Sequence, residues 1–277
     1  AQVMARALGG VGFVALVGPL AGAAVADAWN WRAAFVLCSL FAAAALALVA
    51  WKLPESLAPR HRQPLRPGPM LHSLRRIATH PAFLAWSALM AGTYGAIYTY
   101  LAGSSFVFIE TLGRSRLAYS LVLATATGSY MAGTFACRRS LQRSGLIGAV
   151  WRGAAFSALG GTAMLVIALL DWREPAAIAT AMAAIAFGHG YHQPCAQAAV
   201  TGPFPAQAGM AAALAGFVMS LVAFGISAWL GWAANGTMLP VLGTQAVFAL
   251  ATALIAATLI QQLGHRLAPV VVARPAA

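Results

Sequence analysis

WRAAFVLCSLFAAAALALVAWKL (residues 31–53) runs directly into PESLAPRHRQPLRPGPMLHSLRRIATH (residues 54–80), and the change of character at Pro54 decides the fold. The first stretch is apolar over the roughly 20 residues that a helix needs to cross a hydrocarbon layer. The second holds five prolines, five arginines and three histidines, a composition poorly suited to a packed core. Working outward, seven more apolar stretches lie at about residues 4–26, 83–109, 117–137, 149–170, 176–201, 209–233 and 241–263. Threading all eight alternately across a membrane sorts the cations. Arg6, Lys52, Arg60, Arg62, Arg66, Arg75, Arg76, Arg138, Arg139, Arg143, Arg152, Arg266 and Arg274 fall on one side, against Arg32, Arg114, Arg116 and Arg173 on the other. The cation-rich side faces the cytoplasm by the positive-inside rule, which places both chain ends there.

Composition excludes the other classes. The chain is 61% hydrophobic and 8% charged, whereas a soluble globule is about 25% charged. The net charge of +12 flanks apolar spans and forms no basic stripe interleaved with stacking aromatics, so a nucleic-acid partner is not expected. Backbone amides in lipid must be satisfied within their own segment, and long unbroken apolar runs do this as helices, not as the alternating strands of a barrel. The expected fold is an all-α polytopic bundle of eight transmembrane helices with the lipid bilayer as its surroundings. Cys38, Cys137 and Cys195 lie in different spans with no disulfide or zinc spacing and read as small packing residues. No cleavable signal precedes the first span, and the absence of an initiator Met points to sequence upstream of Ala1.

Within the linker, MLHSLRRI (residues 70–77) has the pattern of a short amphipathic helix lying on anionic headgroups. In the first span, Gly18-Pro19-Leu20-Ala21-Gly22 predicts a bend, because Pro19 removes an intrahelical hydrogen bond while the glycines let a neighbour approach. Trp31-Arg32-Ala33-Ala34-Phe35 then sets an aromatic and a cation at a membrane interface. Asp27 and Arg32 border that turn as capping or pairing groups of small energetic worth.

Ionisable groups at span depth mark substrate or proton paths. His189 and His192 share the sixth span with Gln193, Cys195 and Gln197; at 100° per residue His189, His192 and Cys195 cover an arc of roughly 120°. Hydrogen bonding between helices, a substrate or proton contact, and a bound metal are the three readings of this cluster, and the last would need further ligands. Tyr94 and Tyr98, four residues apart on one face, and Phe217 in the seventh span suit flat, lipophilic or cationic molecules by stacking and cation attraction. Arg152 is expected to snorkel to the surface.

Taken in order, Gly18-Pro19-Leu20-Ala21-Gly22 and Trp31-Arg32-Ala33-Ala34-Phe35 resemble the fifth-helix signature and the following W-R-x-x-F of major facilitator superfamily drug:proton antiporters. Ala102-Gly103-Ser104-Ser105-Phe106-Val107-Phe108-Ile109-Glu110 is similar to the end of helix seven in the Bcr/CflA branch, and Pro203-Phe204-Pro205-Ala206-Gln207-Ala208-Gly209-Met210-Ala211-Ala212-Ala213-Leu214 to that branch's entry into helix eleven. Gly133, Arg138, Arg139 and Gly145 resemble a degenerate copy of the superfamily's basic loop between helices eight and nine. Val14 and Ala23 depart from the first motif, where glycine is usual.

The resemblance implies that the eight spans are helices 5 to 12 of a twelve-helix fold, with helices 1 to 4 absent from this sequence. Residues 1–53 would then be the last two helices of an N-terminal half, 54–80 a basic cytoplasmic linker, 81–266 a C-terminal six-helix half, and 267–277 a cytoplasmic tail. It further implies a bacterial inner (cytoplasmic) membrane, a monomer when full length, no cofactor, and proton-coupled efflux of small organic molecules. Coupling groups in that family lie largely in the N-terminal half, so these residues by themselves are not expected to transport. The sequence holds no nucleophile elbow, zinc-protease motif or phosphate loop, so an enzyme is not expected. The alternative is a truncated, nontransporting membrane protein or assembly partner.

Overall fold

The computed structural model describes residues 28–54 and 67–264, together with the isolated helical positions Gly18, Ala21, Gly22 and Val25. Pro19 and the bend expected there, Asp27, Arg6, the linker cations Arg60, Arg62 and Arg66, and the tail at 267–277 lie outside the described residues. Every regular element among the described residues is helical. Contacts divide the chain into two units, residues 13–72 and a larger unit that contains 73–277.

In the smaller unit, α1 (Trp31–Lys52) begins at Asn30, whose side chain accepts from the Ala33 amide at 3.1 Å, and ends at Lys52. Asn30 therefore supplies the helix cap, an orphan-amide acceptor of the preferred type. Each end of α1 carries a cation over an indole, Arg32 on Trp31 at 4.4 Å and Lys52 on Trp51 at 4.3 Å. Such pairs hold an aromatic ring and its cation at the two edges of an apolar rod. The amphipathic segment expected at 70–77 is a longer helix, α2 (Pro67–Ala78), which begins in the smaller unit, belongs to the larger from Ser73 onward, and has as its first residue a proline with no amide hydrogen to waste. It buries Ile77 and leaves Met70 and Leu71 exposed.

In the larger unit, α3 (Pro81–Ser105) continues into a π-helical turn at Phe106–Thr111, where the Leu112 amide reaches back five residues to the Val107 carbonyl at 3.0 Å. Gly113, at φ 62°, then ends it. The next element, α4 (Arg116–Leu169), starts under a Ser115 cap and consists of two arms, 116–144 and 146–169, separated by Gly145 at φ 66° and ψ −168°. That backbone conformation is essentially restricted to glycine. The first arm runs seven residues past the apolar limit at 137, because Arg138, Arg139 and Arg143 are good helix formers whose long stems carry their charge outward. Glu174 caps α5 (Pro175–Ala199). A 3-10 turn at Pro205–Gln207 leads into α6 (Ala208–Ala233), and α7 (Leu239–Ala257) is followed after Thr258 by α8 (Leu259–Leu263).

Among the described residues, four stretches are long and apolar enough to cross a membrane: Trp31–Lys52, Arg116–Leu169, Pro205–Ala233 and Leu239–Leu263. Helices α3 and α5 coincide with the expected spans at 83–109 and 176–201 but do not meet that measure. Both carry polar residues turned inward, Thr93, Thr99 and Ser104 on α3 and His189 and His192 on α5.

Helix α5 is enclosed by both arms of α4 and by α3, while α7 covers α3 and α4, and α6 packs mainly on α3. Two apolar clusters fill this unit, one around Trp86, Leu89, Val150, Ala196 and Ile260, the other around Tyr100, Phe108, Met164, Met182 and Leu242. Small residues set the helix spacing. A methyl on Gly190 of α5 would lie 2.5 Å from the Tyr130 carbonyl and 2.7 Å from the Thr134 amide of α4, and one on Gly95 of α3 would lie 2.5 Å from the Phe248 ring of α7.

Candidate functional site

On α3, Leu84, Ala88, Tyr94, Tyr98, Leu101 and Ser105 recur at helical spacing along the side left open, while the opposite side is buried. Tyr94 and Tyr98 lie on that open strip as the four-residue spacing requires, half-buried, with ring centroids 5.8 Å apart. The Tyr98 hydroxyl meets Ser227 Oγ of α6 at 2.8 Å, which fixes one ring against the neighbouring helix. Phe217 stands on α6 and is 63% exposed.

The two histidines are placed differently. His189 is buried, and its Nδ1 lies 2.9 Å from Thr93 Oγ1 of α3, directly beside Tyr94 in sequence. Its ring leans on Tyr130 of α4's first arm with centroids 5.3 Å apart. His192 is wholly enclosed and reaches the second arm of α4, where its Nε2 lies 3.3 Å from the Val150 carbonyl. A carbonyl only accepts, so Nε2 carries the hydrogen and Nδ1 is the bare nitrogen. That Nδ1, and Oε1 of half-buried Gln193, have no hydrogen-bond partner among the described residues. Gly153 makes the room: a methyl there would lie 2.6 Å from His192 Nε2. Gln197 is half-buried one turn further along α5.

His189 and His192 on α5 thus turn to different neighbours, α3 and the second arm of α4. Both histidines hydrogen-bond to neighbouring helices, as one of the three readings requires, and among the described residues no three of His, Cys, Asp and Glu converge as a metal would need. Two open cavities are lined by other residues. One of about 610 Å³ is an almost wholly apolar groove between α4's second arm and the first half of α5, lined by Leu159, Val166, Trp172 and Thr180 among others. A second, of about 260 Å³, is lined by Arg114, Phe108 and Glu174 at the α3–α4 and α4–α5 turns.

The cations of the expected basic loop lie beside the α4 hairpin turn. Arg138 is half-buried and Arg139 exposed on the last turns of the first arm. Arg152, exposed as expected, donates from Nη1 to Ser140 Oγ at 2.8 Å and Ser144 Oγ at 2.7 Å, so it bridges the two arms across the Gly145 turn with hydroxyl partners. At the opposite turn, Arg173 pairs with Asp171 at 2.7 Å in an exposed bridge of little energetic weight.

One pair escaped the sequence reading. Cys137 Sγ on α4 and Cys195 Sγ on α5 lie 3.6 Å apart, both buried. Their separation of 58 residues carries no spacing signal.

Helices of this length and apolarity, packed through small residues and enclosing polar side chains, define a polytopic helical membrane protein. The sequence model of the Major Facilitator Superfamily matches residues 1–227, and the chain belongs to that superfamily. It is also 27% identical over 214 residues to Multidrug resistance protein D of Escherichia coli (strain K12), across 74% of this chain and 51% of that protein. The chain spans about half the length of this curated relative.

Proposed function

We propose that the chain is the larger part of a secondary transporter that exports drugs or other small organic molecules in exchange for protons. The carrying observation is the superfamily match together with the similarity to a multidrug resistance protein. In this reading the eight apolar stretches are helices 5 to 12, the second and first arms of α4 count as separate crossings, and the linker and both ends face the cytoplasm of a bacterial inner membrane. Two helical halves rock around a midplane site. The lopsided distribution of arginines supports the orientation.

The substrate site is proposed on the open strip of the C-terminal half. Tyr94, Tyr98 and Phe217 offer aromatic faces to a flat or cationic molecule, and Gln193 and Gln197 supply neutral polar contacts. His189 and His192 stand behind them as groups able to pass or hold a proton, His189 through its bond to Thr93 beside Tyr94. The absence of a catalytic motif, and the family itself, favour transport over chemistry.

Accumulation of a fluorescent cationic dye in energised inverted membrane vesicles carrying the full-length protein tests the proposal. Uptake driven by the proton gradient and abolished by a protonophore is expected. Uptake that is unchanged when the gradient is collapsed, or equal to that of vesicles lacking the protein, would refute it.

A further inference from the structure

The first arm of α4 and helix α5 run in the same direction, since Tyr130 and Gly133 face Phe187 and Gly190 while Cys137, further along, faces Tyr191 and Cys195. Backbone meets backbone at the glycines, where methyl groups would overlap carbonyl and amide atoms that cannot swing aside. The next turn along is therefore held close, and there the two sulfurs sit 3.6 Å apart with Cys137 also 3.6 Å from the Tyr191 carbonyl. Both thiols are 1% exposed. Closing to a disulfide requires the sulfurs to approach by about 1.5 Å, to the bonded distance of roughly 2.05 Å.

We propose that Cys137 and Cys195 form a self-resolving oxidation site, at which a lipid-soluble hydroperoxide leaves a reversible disulfide between α4 and α5 instead of an over-oxidised cysteine. In the first step one sulfur attacks the peroxide O–O bond; the thiol becomes a sulfenic acid and the hydroperoxide leaves as its alcohol. The neighbouring thiol then attacks the sulfenic sulfur, a disulfide forms and water departs. Two thiols and one hydroperoxide thus give one disulfide, one alcohol and one water. The second step is intramolecular between atoms already in contact, so it outruns the further oxidation that an isolated sulfenic acid undergoes. Apolar surroundings exclude charged oxidants, which is why the oxidant class is one that partitions into the bilayer. Cys38, exposed on α1 with no cysteine partner in contact, is the internal comparison.

The test treats native membranes carrying the protein with cumene hydroperoxide, quenches free thiols under denaturing conditions, and maps the peptides by mass spectrometry. The expected result is a Cys137–Cys195 linked peptide, lost on treatment with dithiothreitol, while Cys38 proceeds to sulfinic and sulfonic acids. In Cys195→Ser, Cys137 is expected to over-oxidise or to stay reduced, with no linked product. A cleavage site placed in the 170–174 turn gives a second readout: the two fragments stay together on a nonreducing gel only after oxidation. Unreacted Cys137 and Cys195 in wild-type protein whose Cys38 is fully oxidised would overturn the proposal. So would over-oxidation of Cys137 in the wild type, or a link that forms only in the denatured chain.

Discussion

Adding one methyl group at Gly190 tests the packing on which the C-terminal helices depend. In Gly190→Ala the new carbon would lie 2.5 Å from the Tyr130 carbonyl oxygen, 2.7 Å from the Thr134 amide and 2.8 Å from the Gly133 carbonyl carbon, where ordinary contact begins near 3.4 Å. All three are backbone atoms of a helix, so relief comes only if α4 and α5 part by about 0.9 Å at the closest point. A gap of that size forfeits roughly a quarter to a half of the dispersion energy of the atoms lining it, and overpacking of this kind costs about 1–3 kcal/mol. Alanine in a helix regains up to about 1 kcal/mol over glycine by propensity. With three backbone overlaps the upper end of the cost applies, and the net loss is about 2 kcal/mol. At roughly 2–4 °C per kcal/mol, thermal unfolding of the detergent-purified protein, followed by tryptophan fluorescence, should fall by about 4–8 °C. Gly128→Ala, on the facing helix α4, is the control, because nothing lies within 4 Å of its methyl; it should hold or raise the midpoint. If the two alanines shift the midpoint alike, the close approach of α4 and α5 is not what holds them.

Three further outcomes follow from other contacts. Gly145→Ala forces a side chain into the φ 66°, ψ −168° turn of the α4 hairpin and should cost about 1–3 kcal/mol, read as a lower unfolding midpoint with helix content by circular dichroism unchanged. Thr93→Val keeps the shape and removes the hydroxyl bonded to His189, with an expected loss of about 0.6 kcal/mol, the mean for such bonds between membrane helices; dye export by the full-length protein should fall more than expression does, and equal falls would assign Thr93 a structural role only. Single cysteines in a background without Cys38, Cys137 and Cys195 test the orientation: one replacing Arg139 should react with an impermeant maleimide only from the cytoplasmic side and one replacing Asp171 only from the other, and the reverse pattern would invert the topology.

The amino-acid sequence by itself determined what solvent each segment requires. Apolar length fixed the helices from residue 31 onward to within a few residues at most ends, because a segment in hydrocarbon must satisfy its own backbone. The α4 first arm is the exception, extended by arginines whose stems tolerate a helix end. The placement of cations predicted an orientation, and the resemblance of the motifs pointed to the superfamily that the comparison then established. Tyr94 and Tyr98 were readable as a pair because both lie on one helix, where spacing dictates the shared face.

Tertiary structure alone decided how the helices meet. Thr93 with His189, His192 with Val150, and Cys137 with Cys195 are 96, 42 and 58 residues apart, and nothing periodic within one helix encodes the register between two. The arc of His189, His192 and Cys195 on α5 does not say which helix each residue meets. Helix α5 is enclosed on several sides, so an arc of roughly 120° spans more than one neighbour: His189 turns to α3, Cys195 to the first arm of α4 and His192 to the second. Which neighbour each side chain meets is set by the glycine contacts that bring these helices together, a property of the packed bundle and not of any single span.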